Sequence, residues 1–138
     1  MIVSSIKKYN WNGKKVLIVE DDPAGSFLLS EILVHTKIGI RIVESGTEAV
    51  EACRIDTDYD IVLLDMHGPG ISGYDAARKI RKMRKDLPII AQSAFVLTEE
   101  KDHALEAGCN VYISKPINTF ELLGTMHQLL FKTDKLPI

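Results

Sequence analysis

Residues 16–22 read Val-Leu-Ile-Val-Glu-Asp-Asp, a short β-branched and aliphatic run that ends in three acidic residues. A continuous apolar run of this length is typical of a strand buried on both faces of a parallel sheet. A second such run, residues 61–64, ends in Asp65. Further apolar runs predict three more strands, at residues 40–43, 87–91 and 111–113. Arg41 interrupts the first of these three, which favours a place nearer the sheet edge.

A segment with the apolar spacing of an amphipathic helix follows each of the five runs. Pro23 suits a first helical turn, and Gly108 is expected to end a helix that opens near Thr98. Capping signals open the other three helices, as the pairs Ser45/Glu48, Ser72/Asp75 and Asn118/Glu121. The spacing predicts buried faces in the first and last helices, with Leu28, Leu29, Ile32 and Leu33 in the first and Phe120, Leu123, Leu130 and Phe131 in the last.

Five strands that alternate with five helices predict an α/β fold. Short connections between them imply right-handed crossovers and an open parallel sheet with helices on both faces. Residues 15–131 form the predicted domain. Residues 1–14 precede it as a lead-in, and residues 132–138 follow as a short polar tail. Trp11 in the lead-in could pack on the domain or contact something upstream, and we favour packing.

The length of 138 residues allows one domain with an ordinary hydrophobic core. Two cysteines are too few for a disulfide framework or a zinc cluster, and a net charge of −2 makes no case for nucleic acid. The basic run at residues 79–85 is interpreted as the solvated face of a helix. Because neither a signal peptide nor a membrane-spanning run is present, we expect a cytoplasmic protein with no membrane insertion.

Acidic residues stand where two predicted strands end. Ligands of open α/β sheets bind at the carboxyl ends of the strands, so Glu20, Asp21 and Asp65 are expected to converge if their strands are neighbours. Like charges at such distances disfavour ionisation, and a divalent cation would offset their repulsion. Mg²⁺ suits a site of a few carboxylates and a phosphate group. Asp22, just before Pro23, fits a helix cap instead.

Two further side chains follow the fourth and fifth strands at the same predicted edge. Ser93 would supply a hydroxyl and Lys115 an ammonium. Taken alone, the first would be read as a turn residue and the second as a surface lysine. Together with the carboxylates they predict a pocket that receives a phosphoryl group.

These residues resemble the receiver domains of two-component response regulators over residues 15–131. Four strings carry the resemblance: residues 16–22, Leu63-Leu64-Asp65 with Pro69 and Gly73, residues 88–94, and residues 112–116. The resemblance implies a doubly wound, flavodoxin-like fold with five parallel strands in the order 2-1-3-4-5. It also implies a phosphoacceptor in a phosphorelay, which catalyses only its own phosphorylation and slow self-dephosphorylation.

Site roles are implied residue by residue. Asp65 matches the phosphoacceptor, and Glu20 and Asp21 match the acidic pair that organises Mg²⁺, with Mn²⁺ as a second candidate. His67 matches the position whose backbone carbonyl completes the metal site. Its side chain could touch the phosphoryl group or point to solvent.

The switch residues follow by the same resemblance. Ser93 matches the hydroxyl that follows the phosphoryl group, Lys115 the lysine that pairs with it, and Tyr112 the aromatic that turns inward. A strand aromatic that never moves is the plainer interpretation of Tyr112. Gly68 and Gly70 depart from the family pattern and predict a flexible loop after Asp65.

Partners implied by the resemblance are a histidine kinase or histidine phosphotransfer protein as donor, and an output protein or domain that reads the segment from Phe95 to Gly108. Residues 9–15 look like the lead-in of receivers attached to hybrid sensor kinases, so a free-standing chain and an excised receiver both stay open. Two other functions remain as alternatives: a phosphorylation-independent binding module of the same fold, and an aspartyl-phosphate hydrolase acting on an external substrate.

Overall fold

Five parallel strands form the sheet at the centre of the molecule. The computed structural model describes residues 9–95 and 97–131. The strands are β1 (Lys15–Val19), β2 (Gly39–Val43), β3 (Ile61–Asp65), β4 (Ile89–Ser93) and β5 (Val111–Ser114). Their order is β2-β1-β3-β4-β5, and each neighbouring pair is parallel. The predicted fold class and strand order are confirmed.

Helices cover both faces of this sheet. They are α1 (Pro23–Leu33), α2 (Gly46–Ile55), α3 (Gly73–Met83), α4 (Thr98–Glu106) and α5 (Thr119–Phe131), and a 3-10 turn, Val34–Thr36, follows α1. Side chains of α2, α3 and α4 form one hydrophobic core layer with one face of the sheet. Those of α1 and α5 form a second layer on the opposite face. The carboxyl ends of all five strands therefore meet at one edge of the sheet, between the two layers.

The predicted caps are present at the helix starts. Asp22 accepts from the Ala24 N–H at 3.2 Å. The other caps are Ser45, Ser72 and Asn118, which accept from the backbone of Glu48, Asp75 and Glu121 at 3.0, 3.1 and 2.9 Å. Gly108 follows α4 at a φ of +114°, which ends the helix.

Three residues predicted for the buried helix faces are exposed. Leu28 is 48% exposed, Phe120 58% and Phe131 38%. Phe120 lies in the first turn of α5 and Phe131 is its last residue. Each therefore lies beside an end of the strands rather than over their middle. Helical spacing predicts which face of a helix is apolar, but not how far the sheet extends beneath it.

Strand β4 lies two residues later than predicted. The apolar run that suggested residues 87–91 stops before Gln92 and Ser93, yet both polar residues belong to the strand and are buried. Pairing with β3 begins at the Pro88 carbonyl, which accepts from Val62. The carboxyl end of β4 is thus a buried polar segment.

Both cysteines are free and buried, as expected for a core without disulfides. Burial raises the pKa of the Cys53 thiol to about 11 and that of Cys109 to about 12. The two thiols therefore act as small apolar core groups.

Trp11 is fully buried, at the amino edge of the sheet. Its backbone N–H donates to the Thr36 carbonyl at 2.6 Å, and its indole N–H donates to Nδ1 of His127 in α5 at 3.1 Å. The Tyr9 ring lies beside both rings. The packing interpretation of Trp11 is confirmed.

We expect Trp11→Ala to lower the free energy of unfolding by about 3–5 kcal/mol, because it empties a filled core position. Phe120→Ala is the matched control, since it removes an exposed aromatic ring and is expected to cost about 0.5 kcal/mol or less. Urea unfolding of both variants checks this. A Trp11→Ala variant as stable as the control would contradict the packing of the lead-in on the domain.

Candidate functional site

Three carboxylates converge at the carboxyl edge of the sheet. Glu20 and Asp21 directly follow β1, and Asp65 ends the neighbouring β3. One carboxylate oxygen from each lies within 4.8 Å of the others. Asp21 is exposed, whereas Glu20 is only 4% exposed. The convergence expected of these three side chains is therefore found.

Glu20 is the most deeply buried residue of this cluster. Its Oε1 accepts from Lys115 Nζ at 3.1 Å, and its Oε2 accepts from the Asp22 N–H at 3.2 Å. Burial raises the pKa of Glu20, while these two donors oppose the shift and the charge of Asp65 adds to it. A Cβ added at Gly25 would lie 3.1 Å from Glu20 Cδ, so the first turn of α1 closes tightly over this carboxylate.

Lys115 balances the acidic cluster. Its Nζ lies 3.1 Å from Glu20 Oε1 and 3.5 Å from Asp65 Oδ2. Burial acts to lower the pKa of this ammonium, but the hydrogen bond to Glu20 and the charge of Asp65 outweigh it and raise the pKa. The Lys115 backbone N–H donates to the Ser93 carbonyl at 2.8 Å, which ties its position to the end of β4.

Hydrogen bonds from backbone N–H groups hold the loop after Asp65 at both of its ends. The His67 N–H donates to Asp65 Oδ1 at 3.0 Å, which orients the carboxylate. The Gly73 N–H donates to the Met66 carbonyl at 3.3 Å. A Cβ added at Gly73 would lie 2.5 Å from Met66 Cα, so only glycine allows α3 to start this close to the site.

The middle of the same loop packs on the start of α2. Gly70 has a φ of +83°, and a Cβ added there would lie 2.7 Å from Thr47 Oγ1. The Ile71 N–H donates to that hydroxyl at 3.1 Å, and the Gly46 N–H donates to the Pro69 carbonyl at 3.2 Å. The sequence predicted that glycine loosens this loop. In the structure, Gly70 provides the conformation and the space that let the loop pack on the start of α2.

Ser93 and Tyr112 meet at one residue of the β4–α4 connection. The buried Ser93 hydroxyl accepts from the Phe95 N–H at 3.0 Å, and the Tyr112 hydroxyl donates to the Phe95 carbonyl. Sequence reasoning did not single out Phe95 for this part, because its contribution is made by backbone atoms.

The His67 side chain is exposed, and one side of its ring contacts the segment after β4 and helix α4. Its ring packs edge-on against Phe95, with 4.6 Å between ring centroids. Its Nε2 lies 3.5 Å from Glu100 Oε1 in α4, and the same carboxylate accepts from the Tyr74 hydroxyl. Glu100 was also missed from sequence, since an acidic residue in a first helical turn reads as a favourable end charge. The loop after Asp65 thus contacts α4 directly.

The donor set fits a hard divalent cation. Carboxylate and carbonyl oxygens are the ligands that Mg²⁺ takes in proteins, and it commonly uses one or two carboxylates with water and a phosphate. Glu20, Asp21 and Asp65 supply the carboxylates, and the exposure of Asp21 leaves the cluster open to solvent. Among the described residues, no other group of three or more acidic, histidine or cysteine side chains has this geometry.

A family model for the response regulator receiver domain matches residues 16–127. The chain belongs to the receiver domain family. Its five-stranded topology is the one found in solved receiver domains. Receiver domains are generally signal transducers rather than enzymes that act on external substrates.

Individual relatives agree with this assignment. Hybrid signal transduction histidine kinase M of Dictyostelium discoideum is 31% identical over 126 residues, which are 87% of this chain and 5% of that protein. The receiver domain of sensor histidine kinase PA1611 from Pseudomonas aeruginosa, solved with magnesium in its active site cleft, is 30% identical with a TM-score of 0.79. That match covers 86% of this chain and 98% of the other.

A third match is a complex. The Saccharomyces cerevisiae histidine phosphotransfer signaling protein Ypd1 was solved with the receiver domain of its downstream response regulator Ssk1. The identity is 27% and the TM-score 0.82, covering 92% of this chain and 95% of the other. This receiver domain spans half or less of the length of the curated relatives it matches. Across residues 9–95 and 97–131, no helix combines the length and apolar character needed to cross a bilayer.

Lys115→Met is expected to lower the free energy of unfolding at pH 7.5 by about 1–3 kcal/mol, because buried Glu20 loses its charged partner. The loss should shrink as the pH falls toward about 5. The folded-state pKa of Glu20 is raised, so Glu20 takes up a proton above its unfolded-state pKa, and a neutral acid no longer needs the ammonium.

Unfolding by urea across this pH range, without divalent cations, tests the expectation. Lys79→Met on α3 is the matched control, since Lys79 is exposed and its removal should cost little at any pH. A Lys115→Met penalty that stays constant down to pH 5 would contradict the coupling to Glu20.

Proposed function

We propose that this receiver domain accepts a phosphoryl group on Asp65 from the phosphohistidine of a histidine kinase or histidine phosphotransfer protein. The observation that carries the proposal is the position of Asp65. Its carboxylate belongs to the acidic cluster and lies 3.5 Å from the Lys115 ammonium. A carboxylate in this setting can meet an anionic phosphoryl group, because cationic charge next to it reduces their repulsion.

Each side chain has a role in the transfer. An oxygen of Asp65 forms the new bond to phosphorus while the bond from phosphorus to the histidine nitrogen breaks, and the histidine keeps its electron pair and takes a proton. Glu20, Asp21 and the His67 carbonyl, together with Asp65, would hold Mg²⁺, with Mn²⁺ as an alternative ion. When bound, the ion supplies positive charge for the phosphoryl oxygens. Lys115 supplies the same kind of charge from the carboxyl end of β5.

The conformational switch uses the contacts at Phe95. Ser93 would move to donate its hydroxyl hydrogen to a phosphoryl oxygen, a strong acceptor that phosphorylation adds, and in this exchange it would give up the hydrogen bond that it accepts from the Phe95 N–H. That exchange alters the residue to which the Tyr112 hydroxyl is also bonded. The segment from Phe95 to Gly108 would then present a changed surface to an output protein or domain. Water attack on the phosphoaspartate would slowly return Asp65 to its free form.

A phosphorylation-independent binding module is less well supported. Such a module needs no buried carboxylate and no ion pair at the strand ends, and each carries a cost in stability. Here Glu20 is a buried carboxylate, and it forms an ion pair with Lys115. An external phosphatase function gains no support either, because the described connections contain no large insertion that could form a substrate cap.

The relatives suggest the cellular setting. Solved receivers from a sensor histidine kinase and from a complex with a phosphotransfer protein support a donor of the same kind here. Both a free-standing regulator and a segment of a hybrid kinase fit the chain. We propose a cytoplasmic location, with neither direct nucleic-acid binding nor membrane insertion.

Incubation with acetyl phosphate and Mg²⁺ is expected to add one phosphoryl group to the wild-type protein, detected by intact mass, and none to Asp65→Asn. Chelation of Mg²⁺ should prevent the addition. Asp58→Asn is the matched control, since Asp58 is exposed at the amino edge and should leave the reaction unchanged. A phosphoryl group that persists in Asp65→Asn would refute the assignment of the acceptor.

Asp21 and Asp22 have neighbouring positions but different expected effects. Asp21→Asn should weaken Mg²⁺ affinity by about tenfold or more, because it removes a carboxylate from the cluster. Asp22→Asn should leave Mg²⁺ affinity within about twofold, since Asp22 caps α1 and asparagine is an equally good cap. Calorimetric titration with Mg²⁺ distinguishes them. Equal losses in both variants would contradict the separate roles.

A further inference from the structure

A small cavity lies beside the acidic cluster, on the α1 and α5 side of the sheet. Its volume is about 140 Å³, and its walls include Leu28, Leu29 and Ile117 together with Glu20, Lys115 and Gln92. Gln92 is fully buried. Neither its Oε1 nor its Nε2 has a hydrogen-bond partner among the described residues. An amide group thus lines an otherwise largely apolar cavity next to an ion pair.

Strand register explains why Gln92 reaches this place. Gln92 is the β4 partner of Asp65 in β3 and of Ile113 in β5, so the three side chains share one face of the sheet. Lys115 comes two residues after Ile113, and its ammonium reaches Glu20 beyond β1. To do so, the lysine side chain must pass the carboxyl end of β4. Gln92 therefore lies under the path of Lys115.

The amide is costly where it stands. Burying an amide that has no protein hydrogen-bond partner costs more free energy than burying an aliphatic side chain of similar size. The one other residue of β4 on this face, Ile90, is apolar and fully buried. Packing alone therefore does not account for glutamine at position 92.

The chemistry of the cavity wall suits an amide. The Glu20 carboxylate has lone pairs beyond those bonded to Lys115 and Asp22, and the Lys115 ammonium has a third N–H. A glutamine can donate to the first and accept from the second. The volume is enough for a few water molecules, which would bridge whatever distance the side chains leave.

We propose that Gln92 is a positioning residue for phosphoryl transfer, whose amide holds the Glu20–Lys115 pair in register through water bound in this cavity. The inference rests on the proposed function of Asp65. When Lys115 turns toward a phosphoryl oxygen, the amide remains as a donor for Glu20, which is otherwise a buried carboxylate with one backbone partner. Gln92 thereby lowers the free energy needed to move the Lys115 ammonium away from Glu20.

Three variants test this role. Gln92→Met removes the amide at nearly constant volume, Gln92→Asn keeps the amide on a shorter side chain, and Ile90→Val is the matched control on the same face of β4. We would measure unfolding by urea, Mg²⁺ affinity by calorimetry, and the rate constant for Asp65 phosphorylation at saturating acetyl phosphate with Mg²⁺.

We expect the rate constant for Asp65 phosphorylation to fall by about tenfold in Gln92→Met, the loss typical of one hydrogen bond to a charged group. In Gln92→Asn it should fall by less. The half-saturating acetyl phosphate concentration should stay unchanged, and Mg²⁺ affinity should weaken about tenfold in Gln92→Met, the lower end of the usual loss for a group that orients a metal ligand. Stability should follow a different order, with Gln92→Met at least as stable as wild type and Gln92→Asn less stable. Ile90→Val should lose some stability and no rate.

Rates and Mg²⁺ affinities of Gln92→Met within twofold of wild type would overturn the proposal. Rates that follow the order of stability would overturn it as well, because they would make Gln92 a packing residue only. If the wild-type protein takes up no phosphoryl group on Asp65, the proposed function fails, and the Mg²⁺ affinities of the same variants decide the role of Gln92.

Discussion

The ion pair between Lys115 and Glu20 is the interaction on which the carboxyl edge of this sheet depends. Glu20 is nearly buried, and two more carboxylates lie within 4.8 Å of it. Burial and like charge both disfavour three ionised acids in this space, so the cluster is stable at neutral pH only if cationic charge reaches it. Lys115 brings that charge from the other side of the sheet, across the ends of two intervening strands. Burial outweighs this pairing at Glu20 and raises the pKa of the acid, whereas at Lys115 the carboxylates outweigh burial and raise the pKa of the ammonium.

Much of the surrounding structure maintains this arrangement. Gly25 lets α1 close over Glu20, and Gly73 lets α3 start against the Met66 backbone, so two helices begin within van der Waals distance of the site. The loop between Asp65 and α3 is bonded to the start of α2, which makes it part of the scaffold. At the opposite edge, Trp11 closes the second core layer against α5. The carboxyl edge of the sheet therefore holds an electrostatically unfavourable cluster of carboxylates that is well supported by packing.

Side-chain and backbone contacts connect the acidic cluster to α4 and β5. His67 extends from the loop after Asp65 to the Phe95 ring and the Glu100 carboxylate of α4, while Ser93 and Tyr112 both bond to the Phe95 backbone. Phe95 is thus the residue at which the loop after Asp65, β4 and β5 meet. Under the proposed function, phosphorylation of Asp65 would change the surface at α4 through these few contacts, which lie close to Asp65.

The sequence by itself determined the element order, the helix caps and the strand-end positions of Glu20, Asp21, Asp65, Ser93 and Lys115, because periodicity, capping and strand termination are local properties of the chain. Helix faces were predicted less well, and Phe120 proved exposed because its burial depends on where the sheet ends. Only the tertiary structure decided that Lys115 pairs with Glu20, that Gly70 lets the loop after Asp65 pack on α2, and that His67 turns toward α4. It also decided that the Gln92 amide, which has no hydrogen-bond partner among the described residues, lines the same cavity as Lys115. Each of these depends on which strands become neighbours and on distances across the sheet, which no local pattern contains.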